Sequence, residues 1–157
     1  MDNDIEYIRA LMAQYRADIA PLLKYLPWLR EATFASTMTM YKGQDASEGA
    51  FSFPVYDATL MSFIKDATAS SLMDRNYPYV YTRKHITSAE QERDVIVACD
   101  YKNWDTLKGI FSKYVLGGRT KGTLWSQGVS EQIFCLVLEQ MNAIVTEWDA
   151  ERNLEDK

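Results

Sequence analysis

A chain of 157 residues with a single histidine offers few places for chemistry to start. A nucleophile relay needs a base beside Ser or Cys, and His85 has neither near it in a recognisable nucleophile motif. His85 therefore reads as structural or exposed. Cys99 and Cys135 each lie in a segment of helical periodicity, with no second Cys or His at metal-ligand spacing, and read as buried free thiols. The run Gly117-Gly118-Arg119-Thr120-Lys121-Gly122-Thr123 superficially suggests a phosphate loop. The Walker pattern, however, needs Lys directly after its last Gly, then Ser or Thr, all behind a strand. Here Lys121 precedes Gly122 and the upstream residues are helical, so nucleotide hydrolysis is rejected and a helix end followed by a tight turn is expected. A dinuclear metal bundle wants Glu-x-x-His in duplicate, which one histidine cannot supply. An all-carboxylate metal site is left open, though nothing selects one. No catalytic residue, metal ligand or cofactor is assigned, and a non-enzymatic role is favoured over an enzymatic one.

Uneven charge is the remaining signal. Residues 102–130 hold Lys102, Lys108, Lys113, Arg119 and Lys121 against Asp105 alone, whereas 131–157 hold seven acids against Arg152 and Lys157. If Arg75, Arg83 and Lys84 fold near Lys113, Arg119 and Lys121, a cationic surface bordered by Tyr77, Tyr79 and Tyr81 could hold phosphate or stack a base. The ligand-binding set is thus Arg75, Tyr77, Tyr79, Tyr81, Arg83, Lys113, Arg119 and Lys121. The competing reading is plainer: these cations neutralise the acidic last helix and cap the carbonyls of the helix ending near Leu116.

These side chains need elements to hold them, and composition says a packed domain exists. The chain is 47% hydrophobic and 13% aromatic, enough apolar material to offset chain entropy. Its net charge of -5 argues against an overall electrostatic match to nucleic acid or anionic lipid. The acidic start and the lack of a long apolar run point away from a secretory leader or membrane span, and a cytoplasmic location is expected.

Ile5, Ile8, Met12, Tyr15 and Ile19 step by three and four and predict a first helix, stopping near Ala20 because Pro21 lacks an amide proton. A second would hold Leu22, Leu23 and Leu26 before Pro27 breaks it, leaving Trp28 and Leu29 as anchors. Over 33–54 no helical period persists, which predicts a mobile loop with short extended flanks. Asp57 reads as the N-cap of a helix carrying Leu60, Ile64 and Ala67, with Tyr56 and Met61 at staple positions. Tyr77, Tyr79 and Tyr81 alternate as in a strand, yet Tyr77 and Tyr81 also share a helical face, so 76–82 stays undecided. Thr87 or Ser88 has capping-box form ahead of Val95, Ile96 and Cys99. Trp104, Leu107, Phe111 and Tyr114 predict a helix ending at Gly117-Gly118. Ser130 reads as the N-cap of the last helix, with Phe134, Val137, Met141, Ile144 and Trp148 on its apolar face. The expected fold is all-α: one mainly helical domain over 1–148, a loop-rich or short-strand insertion around 34–55, and a charged tail at 149–157 that frays into solvent.

Taken together, Trp104-Asp105-Thr106-Leu107, Lys113-Tyr114-Val115, Arg119, Gly122-Thr123-Leu124, Ile133-Phe134 and 136–138 resemble a widespread family of uncharacterised small bacterial proteins. Phe53-Pro54-Val55-Tyr56-Asp57 and 60–64 are similar to that family's Pro- and Tyr-rich entry to a helix. The resemblance covers roughly residues 50–145. It implies a small helical domain found in bacteria and their mobile elements, with no assigned activity to transfer. The functional expectation is a non-enzymatic interaction or binding domain with a protein partner. The alternatives are a nucleic-acid or phosphate-ligand binder and, below it, an acidic inhibitor that mimics nucleic acid.

Overall fold

The computed structural model describes residues 2–42, 52–121 and 123–155. Stripes of apolar residues at helical spacing must find one another, and the chain does this with helices α1 (Asp2–Leu23), α2 (Leu26–Glu31), α3 (Phe34–Thr37), α4 (Ala58–Ala69), α5 (Tyr77–Lys84), α6 (Ala89–Ala98), α7 (Trp104–Gly117), α8 (Thr123–Ser130) and α9 (Ile133–Glu155). A 3₁₀ turn, Tyr101–Asn103, precedes α7. The mainly helical single-domain expectation holds, and no described helix is long and apolar enough to cross a membrane.

The centre of the core is α9, which packs on α1, α2, α6, α7 and α8. Its Phe134 is fully buried and meets Phe63 of α4 and Phe111 of α7 edge-on at centroid separations of 5.1 and 5.6 Å, while Phe63 and Phe111 meet at 6.0 Å. Edge-to-face rings place positive edges against negative faces, which fixes their mutual tilt. Val137 and Met141 are fully buried and Ile144 nearly so, as their spacing predicts. From α1, Tyr15 stacks flat on Trp104 at 3.8 Å.

The expected caps form at Asp57, whose Oδ1 accepts from the amides of Thr59 and Leu60 at 2.8 and 3.2 Å, and at Ser88, whose hydroxyl accepts from the Gln91 amide at 3.2 Å. Residues 38–42 and 52–56 form an antiparallel ribbon, β1 (Met38–Lys42) and β2 (Ser52–Tyr56), in register from Met38 opposite Tyr56 to Lys42 opposite Ser52. The loop expected between them, 43–51, lies outside the described residues. The ribbon is anchored at its base. The amide of Asp57 donates to the Thr37 carbonyl at 2.8 Å, and the buried Thr37 and Ser126 hydroxyls pair at 2.8 Å.

Several expectations are corrected. The first helix does not stop near Ala20 but runs through Pro21 to Leu23. Ala17 and Pro21 both face solvent, where water can take up the carbonyl that proline leaves unpaired, while fully buried Ile19 and Leu22 hold the helix to the core. Pro27 opens α2 instead of breaking it, in the first turn where no amide proton is needed. Ile5 is 43% exposed, so the first turn of α1 projects beyond the core. Tyr56 packs edge-on against Trp125 at 5.3 Å, and Met61 is exposed, so their staple positions are put to other use. Ser130 ends α8 and does not cap α9: Gln132 takes the left-handed conformation at φ 63° and turns the chain between the two helices. The charged tail continues as helix to Glu155, through residues of which most have fair or good helix propensity.

Candidate functional site

Residues 76–82 are helical, and that settles where three tyrosines point. Pro78 sits in the first turn of α5, where its ring is tolerated, and Val80 packs into α7 at Gly109. A Cβ on Gly109 would stand 2.6 Å from Val80 Cγ2, so only glycine lets the two helices approach this closely. Tyr77 and Tyr81, four residues apart, turn inward and are half-buried, whereas Tyr79 is 57% exposed with the Arg83 guanidinium 5.8 Å from its ring centroid. His85 ends α5 in the left-handed conformation at φ 55°, its side chain exposed, which is the structural reading of that residue.

Tyr77 lines a cleft of about 310 Å³ together with Thr68 of α4, Met73, Arg75, Leu116 of α7 and Arg119. The loop carrying Arg75 is pinned at the residues before it. Buried Ser112 of α7 donates to the Leu72 carbonyl at 3.2 Å and accepts from the Asp74 amide at 2.8 Å, and Asp74 Oδ1 accepts from the Asn76 amide at 2.9 Å. Arg119 is set by the end of α7, where its amide donates to the Leu116 carbonyl at 3.2 Å. The Gly118 before it is an ordinary right-handed cap at φ -66°. That glycine is required for space and not for a left-handed turn: a Cβ there would meet Trp125 Cδ1 at 2.1 Å. Neither guanidinium has an ion-pair or hydrogen-bond partner among the described residues, and no carboxylate lines the cleft. Two exposed guanidiniums and a phenol on a partly apolar wall can bind an oxyanion, with arginine able to offer paired donors to each carboxylate or phosphate.

Tyr81 and Lys113 belong to a different centre, and sequence reasoning missed its hub. Glu92 of α6 is 1% exposed and accepts hydrogen bonds from the hydroxyls of Tyr81 and Tyr114, the latter at 2.5 Å, and from the Lys113 ammonium at 3.3 Å. Lys113 lies over both rings, 4.6 Å from the Tyr81 centroid and 5.0 Å from that of Tyr114. Burial, reinforced by the bond to Glu92, raises both phenols well above the ordinary tyrosine range, so they remain neutral donors. The carboxylate accepts from three donors and does not line the cleft, which makes this a structural tie between α5, α6 and α7. Its signal in the sequence is that Glu92 stands on the same helical stripe as Val95, Ile96 and Cys99.

The eight selected residues therefore divide. Arg75, Tyr77 and Arg119 converge on the cleft, Tyr79 and Arg83 pair on the outer face of α5, and Tyr81 and Lys113 bind Glu92. Lys121 is exposed beyond α7 and does not line the cleft. Both thiols are buried and free, and burial pushes each up to about 11, which keeps them protonated and poorly nucleophilic at neutral pH. Among the described residues no group of three or more His, Cys, Asp or Glu side chains is placed to hold a metal ion. No family model, curated protein or solved structure matches this chain.

Proposed function

We propose that the chain is a non-enzymatic cytoplasmic binding domain, of the bacterial kind its sequence resembles, whose ligand presents a phosphate or carboxylate group to the Arg75–Tyr77–Arg119 cleft. One observation carries this reading: Arg75 and Tyr77 from one segment and Arg119 from another, all marked by charge and ring chemistry, line a single cleft that contains no acid. Two like-charged side chains lining one concave surface gain from an anion between them. A second reading, single-stranded nucleic acid, is favoured by the exposed Tyr79–Arg83 pair on the adjoining helix, which offers a stacking face next to a cation. The net charge of -5 weighs against it.

Calorimetric titration with pyrophosphate, followed by fluorescence anisotropy with single- and double-stranded oligonucleotides over a salt series, tests both. Saturable pyrophosphate binding weakened by Arg75→Ala and by Arg119→Ala, and unaffected by Lys121→Ala, is the expected result. Equal binding by all variants, or none by the native chain, refutes the anion cleft. Submicromolar, salt-sensitive oligonucleotide binding lost with either arginine and with Tyr79→Ala promotes the second reading.

A further inference from the structure

A second cavity, of about 250 Å³, opens where α6 ends against α1 and α9. Its floor is apolar, made by nearly buried Met12 and Ile144, and its walls include the rings of Tyr101 and Trp148. Two exposed carboxylates, Asp100 and Glu147, line it together with Cys99 and Gln140, whose amide donates to the Cys99 carbonyl at 2.8 Å, and no cation is among its lining residues. Asp100 spends one oxygen on the Lys102 amide at 2.8 Å. Its second oxygen and both oxygens of Glu147 have no partner among the described residues. The carbonyl end of α6 adds partial negative charge at the same place, since that helix ends at Ala98 with Cys99 as its cap. Lys102 already holds a cation–π position on Tyr101, 5.8 Å from the centroid, without lining the cavity. The indole N–H of Trp148 is buried away from solvent, so the side chain meets the cavity through its ring.

We propose that this cavity is a binding site for a small organic cation, the class of the alkylammonium ions. The site is distinct from the anion cleft and does not depend on it. Aromatic walls attract a poorly hydrated cation through their ring quadrupoles, the carboxylates supply opposite charge, and the apolar floor takes the hydrocarbon part.

Choline is the probe, and 3,3-dimethylbutan-1-ol, which matches its shape without its charge, is the comparison. Calorimetric titration of the full chain should show saturable choline binding and roughly tenfold weaker binding of the uncharged alcohol. Glu147→Gln and Asp100→Asn, which keep side-chain size and in the second case a capping oxygen, should each lower choline affinity by about threefold or more while leaving the alcohol unchanged. Asp4→Asn, which removes one charge from the exposed start of α1, should leave both unchanged. Failure of choline to saturate below roughly 10 mM, equal affinity for choline and the alcohol, or unaltered choline binding by both cavity variants overturns the proposal.

Discussion

Replacing Tyr114 by Phe removes one hydroxyl from the core and leaves Glu92 without one of its donors. The carboxylate is 1% exposed and its Oε1 accepts the Tyr114 hydroxyl at 2.5 Å, so water cannot replace the lost bond without opening the packing among α5, α6 and α7. A hydrogen bond to a charged group contributes about 1.5–3 kcal/mol, and a buried acceptor left bare sits at the upper end of that range. We expect Tyr114→Phe to destabilise by about 2–3 kcal/mol in urea titration and to lower the melting temperature by about 5–10 °C. The pH dependence gives an independent check. Both phenols are raised above the ordinary value of 10, first by burial and then by their bonds to Glu92. The folded protein therefore retains protons that the unfolded chain loses. Their contribution is complete below pH about 10 and is lost as pH rises further, at up to about 1.4 kcal/mol per pH unit for each tyrosine. Stability measured between pH about 9 and about 11, the window in which unfolded tyrosines titrate, should fall less steeply in the variant, by about one proton. A variant within about 0.5 kcal/mol of the native chain and with the same alkaline slope would show that Glu92 is not the tie described above.

Two further perturbations test the packing. Phe134→Ala should cost roughly 3–5 kcal/mol, because its ring is fully buried and meets Phe63, Phe111 and Tyr114 edge-on. An unchanged urea midpoint would place that ring outside the core. Gly118→Ala sets a methyl 2.1 Å from Trp125 Cδ1, and that indole also donates to the Val115 carbonyl at 2.9 Å. The ring must shift, so a loss of about 1–3 kcal/mol with altered tryptophan emission is expected, and native stability and spectrum together would contradict the close approach.

Much of the fold was legible because local signals and burial agree. The face of α9 and the caps at Asp57 and Ser88 follow from periodicity and short polar side chains. Where two periods coincide, as at Tyr77, Tyr79 and Tyr81, the sequence could not choose, and the choice rests on Val80 meeting Gly109, a residue far along the chain. Pro21 misled because proline's missing donor matters only where water cannot reach the orphaned carbonyl. For the cleft, the residue types were legible but their grouping was not. Arg75 shares a cleft with Arg119 where Ser112 ties the loop between α4 and α5 to α7, and Tyr81 and Lys113 are drawn away by Glu92, whose place on the apolar stripe of α6 marks it for burial but does not name its partners.

The central place of α9 also bears on how the protein is made. Translation delivers α1 first and α9 last among these elements, yet the two pack together, and the Phe134 ring closes the gap between Phe63 and Phe111. A nascent chain lacking α9 must hold the apolar faces of α1, α4 and α7 without their common partner. Premature termination before Ile133 would therefore yield a polypeptide with exposed apolar surface, a substrate for chaperones and proteases.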